Sequence, residues 1–366
     1  MKEILIYSLL IILSFSCSSG EKTTVQLSNP LPIPFGDPFI LYSSNNTYYM
    51  YGTSENLKGF KAYSSKNLQN WEDRGVIYDG TQSGSWGKDC FWAPEMYERN
   101  GKFYLWYSAN WKNNPTNEEE NFRIGVAVAD SPAGPFKDLY DHPIFDPGYP
   151  IIDANLYFDD KANKVYLYYS RCCYKNPVES EISEWAKTKG WFDEIEESWI
   201  YGVEIKSDFS GVIGEPQLLL RPPVKLDDAQ SEWESRSVTS REVNRRWAEG
   251  SFLFKEKDTY YMMYSANYFG GQNYAVGYAT SKHPLGPFEK APNNPVLQKN
   301  TAKGGDVTGT GHNMVFTSPD NQRLCVYHAR TNSSGDQRIV FIDKLNIDKD
   351  GKLTIDGPTV SGASKN

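Results

Sequence analysis

Three acidic residues, each at the start of an apolar run, could carry out chemistry together. Asp37 stands in Gly36-Asp37-Pro38, Asp153 in Ile152-Asp153-Ala154, and Glu249 in Ala248-Glu249-Gly250. Carboxylates held close together cannot all ionise at their ordinary pKa values, so one keeps its proton at neutral pH. A protonated carboxyl beside an ionised one is what glycoside hydrolysis requires. Because a single acid at a strand end is usually only a solvated turn residue, the inference depends on all three occupying corresponding places.

The segments that carry these acids follow a pattern that recurs five times along the chain. Each contains an anchor residue, an apolar run, a polar turn and an aromatic run, which is typical of a β-hairpin. The anchors are Asp37, Glu95, Asp153, Glu249 and His312, about 58, 58, 96 and 63 residues apart. Five such units predict an all-β fold, a five-bladed β-propeller, in which corresponding positions of every blade meet at one end of the central channel. We therefore expect the three acids to converge.

Two long irregular stretches interrupt this pattern and predict loop insertions in the third blade. They run from Cys172 to Trp199 and from Pro222 to Arg246, and short helices are expected over Ser180 to Lys189 and Asp228 to Arg246. One interpretation is that the insertions decorate the blade ends. The other is that they form a wall beside the active face and determine the substrate specificity.

The N-terminal residues have the features of an export signal. Residues 1–16 combine a basic start with a short apolar run, followed by Cys17. We interpret them as a lipoprotein-type signal peptide, cleaved before Cys17 with lipidation of its thiol; an ordinary secretory signal is the alternative. Residues 17–30 are then a flexible tether, 31–358 the catalytic propeller domain, and 359–366 a loose tail. The protein is expected to be exported and lipid-anchored in the bacterial cell envelope, at the outer membrane or in the periplasm.

The composition limits the classes of partner. The 366 residues carry a net charge of −8, which argues against nucleic acid and against an anionic membrane surface, so a membrane is expected only through the lipid anchor. Aromatic residues reach 14%, which suits strands and stacking on sugar rings. Cys90, Cys172, Cys173 and Cys325 form no Cys-x-x-Cys pair for a structural zinc site. We expect a monomer.

The motifs around the anchors resemble those of glycoside hydrolase family 43, the five-bladed propeller arabinanases, arabinofuranosidases and β-xylosidases. The resemblance covers about Pro30 to Pro358. The motifs that carry it are Gly36-Asp37-Pro38, Phe91-Trp92-Ala93-Pro94-Glu95, Ile152-Asp153-Ala154, Ala248-Glu249-Gly250 and Gly309-Thr310-Gly311-His312.

The resemblance implies a role for each acid. Asp37 matches the family's general base, Glu249 the general acid, and Asp153 the acid that tunes and orients the general acid. His312 matches an axial histidine, close to the substrate or to a bound cation. The resemblance implies that no cofactor is required. A structural Ca²⁺ in the channel is an expectation of the family. Asp153 is followed by Ala-Asn where the family more often has Pro, which leaves the substrate open.

Other side chains are candidates for sugar binding. Trp92 falls where the family presents an aromatic near the sugar, and Trp86 and Trp247 could extend the stacking wall, although core aromatics look the same in sequence. Arg330 or Arg338 could reach a sugar hydroxyl or pair with a nearby acid.

The expected activity is inverting glycoside hydrolysis of plant cell-wall polysaccharides such as arabinan or arabinoxylan, or of their fragments. The bulky insertions favour an exo-acting α-L-arabinofuranosidase. An endo-arabinanase, a β-xylosidase or xylanase, and a galactosidase of the same family are alternatives. Retaining propeller hydrolases such as invertases and sialidases are disfavoured because their sequence motifs are missing. A non-catalytic carbohydrate-binding propeller is the alternative from another class.

Overall fold

The computed structural model of the protein describes residues 27–55, 57–115, 117, 120–173 and 178–361. The predicted signal peptide, the lipidation residue Cys17, residues 18–26 of the tether and residues 362–366 of the tail lie outside these ranges. No helix in the described part of the chain is both long enough and apolar enough to cross a bilayer.

Twenty strands form five antiparallel four-stranded units, which confirms the predicted five-bladed propeller. Blades one and two contain β1 (Gly36–Ser43), β2 (Thr47–Thr53), β3 (Gly59–Ser65) and β4 (Glu72–Asp79), then β5 (Trp92–Arg99), β6 (Lys102–Asn110), β7 (Phe122–Ala129) and β8 (Lys137–Asp138). Blades three and four contain β9 (Ile151–Asp159), β10 (Lys164–Cys172), β11 (Glu196–Ile205) and β12 (Val212–Leu220), then β13 (Arg245–Glu256), β14 (Thr259–Ala266), β15 (Ala275–Ser281) and β16 (Glu289–Lys290). Blade five contains β17 (Thr308–Thr317), β18 (Arg323–Arg330), β19 (Ile339–Ile347) and β20 (Leu353–Ile355), after a 3₁₀ turn at Thr301–Lys303.

The two insertions occupy different positions around blade three. The first lies between β10 and β11 and contains α1 (Glu181–Thr188), whose N-cap Ser180 accepts a hydrogen bond from the Ser183 amide. This agrees with the helix predicted from Ser180 to Lys189. The second lies between β12 and β13, so it connects blades three and four, and it contains only two one-turn helices, α2 (Ser231–Glu234) and α3 (Arg236–Thr239). Where the insertions meet, β11 and β13 pair in parallel and join the two blades into one sheet.

Every inner strand is bulged near its start. The pairing with the second strand shifts register between Gly36 and Phe39 in blade one, and at the corresponding place in the other four blades. A bulge re-aims side chains and is common beside active sites. The five bulges therefore decide which side chains face the mouth of the channel.

Blade five is tied to the segment that precedes blade one. Leu31 forms a β-bridge with Val340. The buried Asn29 amide donates to the carbonyl of Ile342 and to Asp343 Oδ1, and the Ser361 amide donates to the carbonyl of Asn29. The described beginning and end of the chain therefore meet at the outer part of one blade.

Candidate active site

Each bulge contains one residue in the left-handed backbone region, and these five residues surround the mouth of the channel. They are Asp37, Ala93, Asp153, Gly250 and His312, with φ values of 52°, 45°, 62°, 57° and 49°. Four of the five have a Cβ, for which this conformation is costly, and strain of this kind clusters at functional sites.

This geometry corrects the predicted alignment of the anchors. Asp37, Asp153 and His312 do occupy corresponding positions, but Glu249 lies one residue before the left-handed residue of its blade, and Glu95 lies two residues after it. The prediction that the three acids occupy corresponding places was therefore wrong for Glu249, because a bulge adds a residue on one strand only, which apolar patterning does not reveal.

Hydrogen bonds link the left-handed residue of each blade to the second strand of the preceding blade. The amides of Ala93, Asp153, Gly250 and His312 donate to the hydroxyls of Thr53 (2.9 Å), Ser108 (3.0 Å), Ser170 (3.3 Å) and Ser265 (2.7 Å). The amide of Asp37 donates to Nδ1 of His328 (3.1 Å), which joins blade five to blade one. We call these five hydrogen bonds the amide ring.

Asp37 is held as a carboxylate. It is 9% exposed, and its Oδ1 accepts from the Arg338 guanidinium at 2.8 Å while its Oδ2 accepts from the Thr53 hydroxyl at 2.6 Å. His312 Nδ1 lies 3.3 Å from Oδ1. Burial alone raises the pKa of a carboxyl, but Arg338, His312 and the Thr53 hydrogen bond together hold the pKa of Asp37 well below its ordinary value. Asp37 is therefore ionised at neutral pH.

Glu249 has the opposite environment. Its side chain is buried, 4% exposed, and its Oε1 accepts one hydrogen bond, from the Tyr274 hydroxyl at 2.9 Å. Burial raises the pKa of Glu249 well above its ordinary value, and the negative charge of Asp153 raises it further, while Tyr274 and Arg245 lower it only in part. Burial and the charge of Asp153 therefore favour the protonated, neutral form of Glu249.

Asp153 lies next to the strand segment that carries Glu249. Its Oδ2 accepts from the Ser170 hydroxyl at 2.9 Å and from the amide of Gly250 at 3.1 Å, so the residue after Glu249 is hydrogen-bonded directly to Asp153. Burial raises the pKa of Asp153, while His312 and these two donors oppose the rise. Because Asp153 has donors that favour its charged form, we assign the proton of this pair to Glu249 and the negative charge to Asp153.

His312 is positioned between the acids rather than within a cluster of metal ligands. Its amide is held by Ser265, and Gly250 lies against its ring: a Cβ on Gly250 would lie 3.0 Å from His312 Nδ1. Among the described residues, no group of three or more His, Cys, Asp or Glu side chains is arranged to hold a metal ion. The expected channel Ca²⁺ stays a prediction.

The structure places the other predicted sugar-binding residues in different environments, one half-buried and one in the core. Trp92 is half-buried, with its ring 4.5 Å from that of Phe122, in a small cluster that includes Ile152 beside Asp153. Trp86 is buried and stacks on Tyr107, so it is a core residue and the predicted role in sugar stacking is corrected.

Trp247 and Arg330 are also engaged within the protein. Trp247 is buried beneath the guanidinium of Arg245. Arg330 donates to the carbonyls of Phe269 and Asp336, whereas it is Arg338 that contacts Asp37.

Glu95 lies in the channel wall rather than with the three acids. It is buried and accepts hydrogen bonds from Tyr97 and from Asn155, whose Oδ1 accepts from the Leu253 amide. Burial raises the pKa of Glu95 to about 8. This polar group links blades two, three and four.

Three residues of the site were not among the predicted site residues: Thr53, Tyr274 and His328. Their roles depend on contacts between strands and between blades. The arrangement brings one ionised and one protonated carboxyl to the same end of the channel, with a third carboxyl beside the protonated one. Such a site can activate a water molecule and protonate a leaving oxygen.

The fold and site together define a five-bladed propeller hydrolase with a carboxyl-based active site. The profile of Glycosyl hydrolases family 43 matches residues 28–353, so the chain belongs to that family and is a glycosidase. This membership sets aside the non-catalytic propeller and the invertase-like and sialidase-like alternatives.

Known proteins similar to this chain differ in the sugar that they release. A crystal structure of a thermostable family-43 glycoside hydrolase matches with a TM-score of 0.77 and 36% identity, over 92% of this chain and 97% of that one. A β-D-galactofuranosidase of Aspergillus niger is 25% identical, covering 83% of this chain and 76% of its own. An arabinoxylan arabinofuranohydrolase of Bacillus subtilis is 25% identical, covering 94% of this chain and 69% of its own.

Proposed function

We propose that the protein is an inverting, exo-acting α-L-arabinofuranosidase that removes terminal sugars from arabinan, arabinoxylan or their fragments. The observation that carries the acid–base mechanism is the contrast between the two carboxyls: Asp37 has three side-chain partners that favour its anion, whereas Glu249 is buried and accepts one hydrogen bond from the described residues. Inversion is proposed from the family roles that Asp37 and Glu249 match, a base acting on water and an acid.

In the proposed mechanism, Asp37 takes a proton from a water molecule as that water attacks the anomeric carbon. Glu249 gives its proton to the leaving glycosidic oxygen as the bond to that carbon breaks. The products are a sugar of inverted configuration and a free hydroxyl on the remaining chain. Asp153 keeps the proton on Glu249 through its negative charge, and it orients the Glu249 backbone through the Gly250 amide.

Exo action is supported by the way in which the two insertions pack together. Ile182, Ala186 and Ile195 of the first insertion form an apolar cluster with Val238 of the second. The two insertions are thus one body, beside the strand that leads to Glu249. A bulky body at this place favours a pocket for a chain end over an open groove.

This body is attached to the strand that carries Glu249 by a buried ion pair. Arg246, three residues before Glu249, donates to Glu197 at 2.9 Å and to the carbonyl of Pro223, and both Arg246 and Glu197 are fully buried. The body also contacts the loop after β14, because the Tyr268 amide donates to the Ser237 hydroxyl. A rigid attachment of this kind suits a wall that shapes the pocket.

Arabinofuranose is proposed as the sugar because an arabinofuranohydrolase is among the relatives that cover most of the chain. The relatives also include a galactofuranosidase and a xylosidase/arabinosidase of Bacteroides ovatus. Aryl glycosides of α-L-arabinofuranose, β-D-xylose and β-D-galactofuranose compared at equal concentration test this choice. The arabinofuranoside should have the highest kcat/KM; a higher value for either other sugar would replace the assignment.

The mechanism is tested by variants and by stereochemistry. Asp37→Asn and Glu249→Gln should each reduce kcat by at least about 10²-fold. Glu256→Gln is the matched control, since Glu256 lies on the same strand as Glu249 but pairs with Arg323 at its other end. Proton NMR in the first minutes should show the inverted anomer. An initial product of retained configuration would exclude Asp37 as a base acting on water.

Exo action is tested by the product pattern on linear arabinan and arabinoxylan. Monosaccharide alone should be released at early times. A ladder of oligosaccharides would instead favour the endo-acting alternative.

We further propose that the enzyme is exported, anchored through a lipid on Cys17, and monomeric. Metabolic labelling with a fatty acid should mark the wild-type protein and not Cys17→Ala. Export of an unlabelled, soluble wild-type protein would favour the ordinary secretory signal.

A further inference from the structure

His328 differs from its counterparts in the amide ring. In four blades the acceptor is a hydroxyl of Thr53, Ser108, Ser170 or Ser265, and only in blade five is it a histidine. The strand positions correspond, since Thr53 pairs with Gly36, Ser265 with Glu249 and His328 with Gly311, each just before a bulge. A serine would accept the same hydrogen bond, so the imidazole calls for a further explanation.

The hydrogen bond to Asp37 defines the state of this imidazole. Because Nδ1 accepts the Asp37 amide proton, the neutral ring carries its own proton on Nε2. His328 is fully buried, and burial lowers the pKa of its imidazole well below the ordinary value. The ring is therefore neutral and acts on Asp37 through the backbone rather than as a positive charge.

The face of the His328 ring supports the residue that holds Glu249. The rings of His328 and Tyr274 stack, with centroids 5.7 Å apart and planes 14° apart. The Tyr274 hydroxyl donates to Oε1 of Glu249 at 2.9 Å. Tyr274 also lies against the backbone of blade five, because a Cβ on Gly311 would lie 2.0 Å from its ring. One continuous set of contacts therefore runs from Asp37 through His328 and Tyr274 to Glu249.

We propose that His328 is a positioning residue that couples the two carboxyls of the reaction. Its Nδ1 fixes the backbone of Asp37, and its ring face fixes the Tyr274 hydroxyl on Glu249. Serine fulfils only the first of these functions, which explains the histidine in blade five. The inference rests on the proposed roles of Asp37 and Glu249.

Two substitutions separate the functions of the imidazole. His328→Asn keeps an acceptor near the position of Nδ1 but removes the ring, and His328→Phe keeps a ring but removes the acceptor. Tyr274→Phe removes only the hydroxyl. His142→Asn is the matched control, because His142 stacks on Tyr140 in the same way at an exposed position.

The readout is the alkaline limb of the pH profile of kcat/KM, which reports the protonation of Glu249. The groups that act on Glu249 are Asp153 and Asp37, which raise its pKa, and Tyr274 and Arg245, which lower it. Tyr274→Phe should move the limb upward by about 0.5–1 pH unit, the equivalent of one hydrogen bond.

The His328 variants should behave differently from each other in this assay. His328→Asn should move the alkaline limb in the same direction as Tyr274→Phe, and the double variant should show no further shift, because both act through one contact. His328→Phe should leave the limb in place but lower kcat by about 10-fold or more, since the Asp37 backbone loses its acceptor. Unfolding temperatures identify any variant that is merely unfolded, and ¹⁵N NMR of the wild-type ring should show the Nε2–H tautomer from pH 5 to 9.

The outcomes distinguish a failure of the coupling through His328 from a failure of the proposed function. Any of three results would overturn the coupling while leaving the proposed function intact. His328→Asn could leave the alkaline limb at the wild-type pH, the shifts could add in the double variant, or the ring could be the Nδ1–H tautomer. A wild-type protein that hydrolyses no glycoside, or whose activity survives Asp37→Asn and Glu249→Gln, would overturn the proposed function and the coupling with it.

Discussion

The low pKa of Asp37 depends on how closely Arg338 approaches it, and Gly36 permits that approach. A Cβ at position 36 would lie 2.0 Å from Cζ of Arg338 and 2.2 Å from one of its terminal nitrogens. Reaching an ordinary contact of roughly 3.5 Å would move the guanidinium by about 1.5 Å. Gly36→Ala therefore weakens the ion pair without removing either charge.

The size of the effect follows from the pair's geometry. Arg338 Nη1 lies 2.8 Å from Asp37 Oδ1, and the displacement lengthens that distance to about 4.3 Å. With an effective dielectric constant of about 20, the attraction falls from about 6 to about 4 kcal/mol. A loss of about 2 kcal/mol raises the pKa of Asp37 by up to about 1.5 units. Arg338→Met should raise it by about 1–3 units, as is typical of a lost arginine partner.

The assay is the pH dependence of kcat/KM on an aryl glycoside, whose acid limb reports Asp37. Both variants should move the acid limb to higher pH, with the larger shift in Arg338→Met, because the carboxylate that acts as the base is then lost earlier as the pH falls. Arg323→Met is the control: it removes an equal charge from the same blade, at the opposite end of β18, where Arg323 pairs with Glu256. An acid limb that stays in place in an active Arg338→Met enzyme would refute the reasoning.

Three further expectations follow from buried groups elsewhere in the molecule. Asp153→Asn should move the alkaline limb of kcat/KM downward by about one unit or more, because the anion that raises the pKa of Glu249 is gone; an unmoved limb would contradict this. Glu95, whose folded-state pKa is raised from 4.5 to about 8, makes folding less favourable as the pH rises between those values, so Glu95→Gln should raise the unfolding temperature more at pH 8 than at pH 5. Arg246→Met leaves Glu197 buried without this partner and should cost about 3 kcal/mol in urea unfolding, with a smaller loss in the double variant Arg246→Met/Glu197→Gln.

The repeat in the sequence was sufficient to predict five blades, because hairpins with an aromatic second strand are local features. It was not sufficient to align the anchors, since the bulge residue is an Asp in two blades but Ala93, Gly250 and His312 in the others. Only the backbone conformation is shared. The prediction of three acids in one register therefore succeeded for Asp37 and Asp153 and missed the offset of Glu249.

The amide ring did leave a trace in the sequence. The aromatic runs end in Tyr107-Ser108, Tyr169-Ser170, Tyr264-Ser265 and Tyr327-His328, so a small polar residue or a histidine follows a tyrosine at the same place in four blades. A hydroxyl at the end of a strand has many local uses, and its function here comes from the neighbouring blade. Such contacts between blades cannot be read from the patterning of one strand.

The described ends of the chain meet at blade five, so the blades could keep their order in space even if the chain began at a different blade. The Ser361 hydroxyl lies 3.3 Å from that of Ser28, so a few residues of linker could join these positions. The turn at Lys257–Asp258 lies at the opposite end of β13 from Glu249 and could be opened instead. Such a circular permutant would keep all five hydrogen bonds of the amide ring, because each of them joins strands by contact and not by chain connection. The catalytic geometry would then depend on the closed circle of blades and not on the blade at which the chain begins.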